Sequence, residues 1–414
     1  MPSLRTLLLA LLLSTTAFSQ TLARPGWAGS GMNSQPWWKH AVLYQLDPQN
    51  FSENGIKSIP THLDYLQSLG IDAILLTNTA PDSQTIDPAL GTLDDLDDLI
   101  HQASQHSIRV LIDLKPNPST DLTATARFWL NRGIAGFHIA NPTQATLLRK
   151  ITNTYVGQRI VITDIDPANP PKPQQNSASD PHLLFDPRPG TQPQLTATAI
   201  RPALEAIQDL RIQPVLLTDG PDHKRSMARY ADGTHDLEIA KTLATILLTS
   251  RSAANLYYGQ ELGLTETYPT IHWEAPPPPE KGHPAPPPDP NPNAVVQDAD
   301  PKSLLNWYRQ LSALHHGNAT IASGASILLN HDDQNVLVWV RKPAAITTIS
   351  PAMVVICNLT AQPVQLSLKE DMKRLHLKGS FIRTTMRSDN AMGPMHLESM
   401  TIPPHAVYIG ELRY

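Results

Sequence analysis

Five aspartates, Asp164, Asp166, Asp186, Asp219 and Asp222, each follow a short apolar run rich in β-branched residues. Carboxylates gathered at the mouths of such runs can give and take protons in a hydrolytic step. Aspartate after a strand more often caps a helix or closes a turn by accepting backbone N–H groups. Residues 133–142, GIAGFHIANP, form the same kind of run but end in Ala140 and Asn141, which supply neither acid nor base. His315 and His316 are adjacent and lack metal-ligand spacing, so no metal site is expected from them. The single cysteine, Cys357, lies in MVVIC and reads as a buried strand residue without a disulfide partner. No cofactor is expected.

The elements that must position these residues alternate along the chain. Strand candidates from Ala41 onward are AVLYQL, DAILLT, RVLIDL, GFHI, RIVITD, HLLF, QPVLLT and NLYYG. Most are near-continuous apolar runs, the mark of parallel strands covered on both faces. Helical periods lie between several of them, among them HLDYLQSLG, LDDLDDLIHQASQ, TARFWLNRG and LEIAKTLATILLTS. In LDDLDDLI the apolar Leu93, Leu96 and Ile100 share one helical face, so the four aspartates form its solvated side and not a metal cluster. Eight strands alternating with helices over about 220 residues give the α/β class, as a (β/α)8 barrel.

Residues 36–325 are assigned to the barrel and 326–414 to a C-terminal antiparallel β-sandwich, from alternating runs such as SILL, NVLVWV, MVVICNL, VQLSL and AVYIGEL. The proline-rich stretch 274–301 reads as a loop that is neither helix nor central strand. It is a stiff connection or, alternatively, an extended surface for a protein partner.

A formal charge of −5 and the lack of a basic block argue against nucleic acid or an anionic membrane surface as partner. Arg5, the apolar run Leu7 to Leu13 and the small-residue end at Ala17 to Ser19 have the order of a secretory signal over 1–19. That run is broken by Ser14, Thr15 and Thr16, short of the roughly 20 apolar residues a membrane anchor needs. A secreted or periplasmic location is the expectation.

Seven segments in order, WWKHAVLYQL, THLDYLQSLGIDAILLT, DPALGTLDDLDDLI, RVLIDLKPN, FWLNRGIAGFHI, LLTSRSAANLYYGQELGL and DPKSLLNWYRQLSAL, closely resemble the α-amylase family of glycoside hydrolases, in its oligo-1,6-glucosidase and α-glucosidase branch. The resemblance runs from Trp37 to Leu314 and implies a retaining mechanism with two carboxyl groups about 5 Å apart. The departures bear on that chemistry. Where the family has glycine, phenylalanine, arginine, an apolar residue and the nucleophilic aspartate, this chain has Gly136, Phe137, His138, Ile139 and Ala140. A methyl group cannot attack an anomeric carbon. The arginine that steadies the nucleophile is replaced by His138, as though a positive charge were no longer needed there. Asp164 stands in place of the general-acid glutamate, one methylene shorter. Asp222 matches the third carboxylate, without its preceding histidine.

After strand three, Asp113 and Asn117 remain, with Pro118 where the family has a sugar-binding histidine. The family's tyrosine and aspartate after strand two are largely deleted, and so is the insert after strand three. Trp273 matches a tryptophan beside the cleft, with sugar stacking and packing under the proline loop both open. Glu261 reads as a structural hydrogen-bond partner.

These departures imply an α-amylase-family protein of carbohydrate metabolism that has lost α-glucosidase activity, as family members among amino-acid transporter heavy chains have. It keeps at most a binding role, for an α-glucan or oligosaccharide through His138, Asn117 and Trp273, or for a protein through the proline-rich loop. The alternative is an active hydrolase using relocated carboxylates, Asp164 and Asp222. Two of the aspartates about 6.5 to 9.5 Å apart would support inversion through water.

Overall fold

The computed structural model describes residues 36–79, 84–171, 178–274, 292–347, 350–389, 391 and 393–413. The leader-like segment 1–19 and positions 275–291 of the proline-rich stretch lie outside them. Eight parallel strands close into a barrel in chain order: β1 (Val42–Leu46), β2 (Ala73–Leu76), β3 (Arg109–Asp113), β4 (Gly136–His138), β5 (Ile160–Asp164), β6 (Leu183–Asp186), β7 (Gln213–Leu216) and β8 (Ala253–Tyr257). Pairing of β1 with both β2 and β8 seals it.

Successive strand residues point to opposite faces. Leu43, Leu75, Leu111, Ile162, Phe185 and Val215 therefore fill the barrel interior, while Val42, Tyr44, Ile74, Val110, Ile112, Phe137 and Val161 pack outward with the helices. Both sets are apolar, which is why the strands read as unbroken runs. The short strand β4 lies hard against β5. A Cβ on Gly136 would stand 2.3 Å from the Ile160 carbonyl oxygen, so only glycine fits.

Helix Leu93–Gln105 buries Leu96, Leu99 and Ala103 and leaves Asp94, Asp97 and Asp98 in solvent. Asp95 closes its N-terminus: Thr92 N–H donates to Asp95 Oδ2 at 2.8 Å, and Asp95 N–H to Thr92 Oγ1 at 3.2 Å. Residues 114–121 alone connect β3 to helix Leu122–Asn131, which Asp121 caps through Thr123 and Ala124, so the barrel lacks an insert at this point.

The proline-rich stretch needs a correction. Towards its end it is helical, Ala294–Ala299, because no proline falls between Pro292 and Pro301 and Asn293 Oδ1 accepts from Val295 N–H and Val296 N–H at 2.9 and 3.2 Å.

Beyond the barrel, β9 (Ala325–Leu329), β10 (Val336–Lys342), β11 (Met353–Asn358), β13 (Phe381–Arg387), β14 (Met395–His396) and β16 (Val407–Arg413) form an antiparallel sheet in the order β14-β13-β16-β11-β10-β9. β12 (Val364–Leu366) pairs with β15 (Met400–Ile402) in a second, two-stranded sheet. One face of the large sheet, with Leu337, Trp339, Val355, Cys357 and Ile409, joins the barrel's outer core. The other face, with Val338, Val340, Val354 and Ile356, packs with Leu366, Met400 and Ile402 of the small sheet. Cys357 is fully buried, as its strand context predicts, and burial pushes its thiol pKa up.

Candidate active site

Side-chain alternation gathers the polar groups at the C-terminal mouth of the barrel. Asp113 shares the inward face of β3 with Leu111, and Asp164 that of β5 with Ile162, while His138 lies opposite the outward Phe137. Asp113 and His138 are also register partners across β3 and β4.

The three side chains form one ion network. His138 Nδ1–H donates to Asp113 Oδ1 at 2.7 Å and Nε2–H to Asp164 Oδ1 at 3.1 Å. The imidazole stacks on Phe185 with ring centroids 4.9 Å apart. Burial by itself would drive the imidazole neutral. The hydrogen bonds to Asp113 and Asp164, with the charges behind them, outweigh burial and lift its pKa to about 9. Burial likewise acts to raise the Asp113 carboxyl, but the bond and charge of His138, helped by Lys115 Nζ at 3.5 Å, hold it below the usual carboxylate range. The sequence had implied that positive charge was no longer needed on this strand. The structure corrects this: a cation persists at His138, neutralised by carboxylates from the strands on either side.

Ala140, two residues further, is exposed. At the barrel mouth a cavity of about 250 Å3 is lined by His138, Asp164, Phe185, Gly220, Asp222, His223 and their neighbours. Asp164 and Asp222 thus face one space. Asp164 is half exposed with one oxygen engaged by His138. Asp222 is exposed at the tip of a turn closed by the bridge between Gly220 and His223.

The remaining aspartates are structural. Asp166 caps the turn that follows β5, accepting from Ala168 N–H at 2.9 Å and Asn169 Nδ2 at 3.0 Å. Asp186, fully buried, takes a bidentate pair from Arg188 at 2.8 and 2.6 Å. Asp219 accepts from Ser226 N–H at 2.6 Å and sits 3.8 Å from the buried Arg225 guanidinium. Burial raises its pKa.

Of the residues proposed to touch a sugar, His138 has both ring nitrogens taken by carboxylates. Asn117 Oδ1 accepts from Ser119 N–H at 2.9 Å, shaping the exposed turn after β3, and the residue does not line the cavity. Trp273 packs instead: Nε1–H donates to the Phe51 carbonyl at 2.9 Å, and its ring stacks on His62 at 3.9 Å. It borders a different cavity of about 460 Å3, with Glu53, His62 and Glu274. Glu261 is the structural partner its context implied, fully buried and accepting from the hydroxyls of Tyr44 and Tyr65 at 2.7 Å each.

A family model described as the catalytic domain of α-amylase matches residues 47–125. Among curated proteins, the amino acid transporter heavy chain SLC3A2 of Oryctolagus cuniculus is 27% identical over 360 residues, which is 73% of this chain and 65% of that protein. This chain therefore spans just under two thirds of that relative's length. Trehalose-6-phosphate hydrolase of Escherichia coli is 35% identical over 113 residues, 23% of this chain and 20% of that protein. Among solved structures, trehalose-6-phosphate hydrolase of Bacillus licheniformis superposes with a TM-score of 0.77 at 16% identity, covering 92% of this chain and all of that one. An isomaltulose synthase of Erwinia rhapontici does so with a TM-score of 0.75 at 17% identity. These two structural matches speak to the fold alone.

Proposed function

We propose, for a chain that belongs to the α-amylase family, that it is an exported member without retaining glycosidase activity whose barrel mouth serves binding. One observation carries this reading. At position 140, two residues past β4, where a retaining enzyme needs an attacking oxygen, the chain has an exposed alanine, whose methyl group cannot attack. Asp164, in the general acid's position, has one oxygen engaged by the charged His138. The short connection after β3 leaves the site open to water, so desolvation and substrate orientation are lost with the nucleophile. At about 250 Å3 the cavity falls below the roughly 300–1,000 Å3 of common ligand sites.

A role with a protein partner has its own support. The likeness to the transporter heavy chain extends over 73% of this chain, against 23% for the hydrolase, and a heavy chain is by name one member of an assembly. The reading as an active hydrolase draws on Asp164 and Asp222 lining one cavity.

Purified full-length protein assayed with aryl α-glucosides, maltose, isomaltose and trehalose separates these readings. No turnover above buffer is expected. Turnover that disappears in Asp164→Ala or Asp222→Ala would overturn the proposal in favour of the relocated carboxylates. Calorimetric binding of an oligosaccharide, weakened in Asp222→Ala, would identify the sugar-binding role. Its absence would leave the protein partner, tested by pull-downs with and without residues 276–291.

A further inference from the structure

Away from the barrel mouth, three side chains converge where the barrel meets the C-terminal sheets. Asp232 and His235 lie in the turn before helix Asp236–Thr249, and His405 in the turn before β16. One carboxylate oxygen and one nitrogen from each ring lie within 4.8 Å of one another. The geometry points to a site for a single divalent transition-metal ion of the zinc type, held by Asp232, His235 and His405 and joining the barrel to the C-terminal domain. Two imidazoles with one carboxylate select zinc and its neighbours over calcium or magnesium, which take oxygen ligands. Three protein ligands leave a position for water.

Two independent features mark the site. His405 is 6% exposed, yet its Nδ1 is buried without a hydrogen-bond partner among the described residues. Its backbone is held at φ 44°, an unfavourable conformation for a non-glycine residue, pinned by its N–H on the Thr360 carbonyl at 3.0 Å and its carbonyl on Thr242 Oγ1 at 3.1 Å. Strain and an orphaned nitrogen together indicate a side chain placed for a ligand the protein itself does not supply. Burial lowers the His405 pKa, aided by the neighbouring His235.

The opposite wall is preformed. Asp232 Oδ1 accepts from Thr234 N–H and His235 N–H at 2.8 and 2.7 Å, and Asp232 Oδ2 holds His235 Nδ1 at 2.8 Å. Zinc with bonds of about 2.0 Å needs ligand atoms about 3.3 Å apart, so the turn must close by about 1.5 Å at most. The exposed Asp232 allows that movement. The spacing of His235 and His405 in the chain gives no motif, because the site exists only once the two domains are packed.

The test is zinc chloride titrated calorimetrically into chelator-treated full-length protein, wild type, His235→Gln and His405→Asn. Asparagine is chosen because it tolerates positive φ. One saturable zinc site is expected, weakened at least about 10-fold in each variant, with a zinc-dependent rise in Tm that wild type shows and His235→Gln lacks. If His405→Asn fails to fold, His235→Gln, a half-exposed change, decides alone. A wild type without a saturable site, or variant titrations that superimpose on the wild type, would overturn the proposal.

Discussion

His138→Gln removes the one titrating proton of the network at the barrel mouth while leaving a side chain of similar length. The imidazole titrates at 6.5 when unperturbed and at about 9 in the fold. At about 1.36 kcal/mol per pH unit the difference corresponds to roughly 3 kcal/mol of stability. Because the folded value lies above the unfolded one, the contribution is present in full below pH 6.5. It declines as pH rises and is lost on passing about 9, where the ring no longer carries a charge between Asp113 and Asp164. Urea unfolding at fixed ionic strength, stepped from pH 6 to 10, measures it. The wild type should lose about 2.5 kcal/mol relative to the variant between pH 6.5 and 9. Other histidines titrate in both proteins and cancel in the difference. Parallel stability profiles for the two proteins would refute the reasoning, since they would mean that His138 is neutral and the network is not an ion network.

The barrel wall should respond as sharply as its mouth. Tyr44→Phe takes from Glu261 one of its two hydroxyl donors and from Gly259 N–H its acceptor at 3.3 Å. It should cost about 1–3 kcal/mol in urea denaturation. Arg225 is fully buried, with Nε and Nη2 donating to the carbonyls of Glu266 and Tyr258 at 2.9 Å each. Arg225→Met leaves Asp219 buried and without its cation, and should lower stability by about 3–5 kcal/mol, read as a fall in Tm. Gly136→Ala forces a methyl group against the Ile160 carbonyl and should cost about 1–3 kcal/mol by the same measurement. A neutral Gly136→Ala would mean that β4 and β5 are less closely packed than described.

The eight barrel strands were legible because both faces of each are buried, which writes an unbroken apolar run into the sequence. Helix Leu93–Gln105 was legible to its ends because Thr92 and Asp95 form a capping box and the leucines keep a helical period. β13 was not singled out: in FIRTTMR the outward residues are arginine and threonine, and only Ile382 is fully buried. At the site, Ala140 and Asp164 could be placed from their own strands. The bond between Asp113 and His138 could not, since it depends on the register of two separate segments. The available signal was positional: both residues end their strands on the inward face. Trp273 stayed undecided because nothing near it in the chain announces that His62 will cover its ring.

Intact-protein mass spectrometry after incubation with an activated fluorinated α-glucoside, which traps glycosyl-enzyme esters, tests the central claim most directly. With a methyl group at position 140 the mass should remain that of the unmodified chain, however long the incubation. A stoichiometric gain of one fluorosugar, localised to any aspartate or glutamate of this protein, would contradict the account.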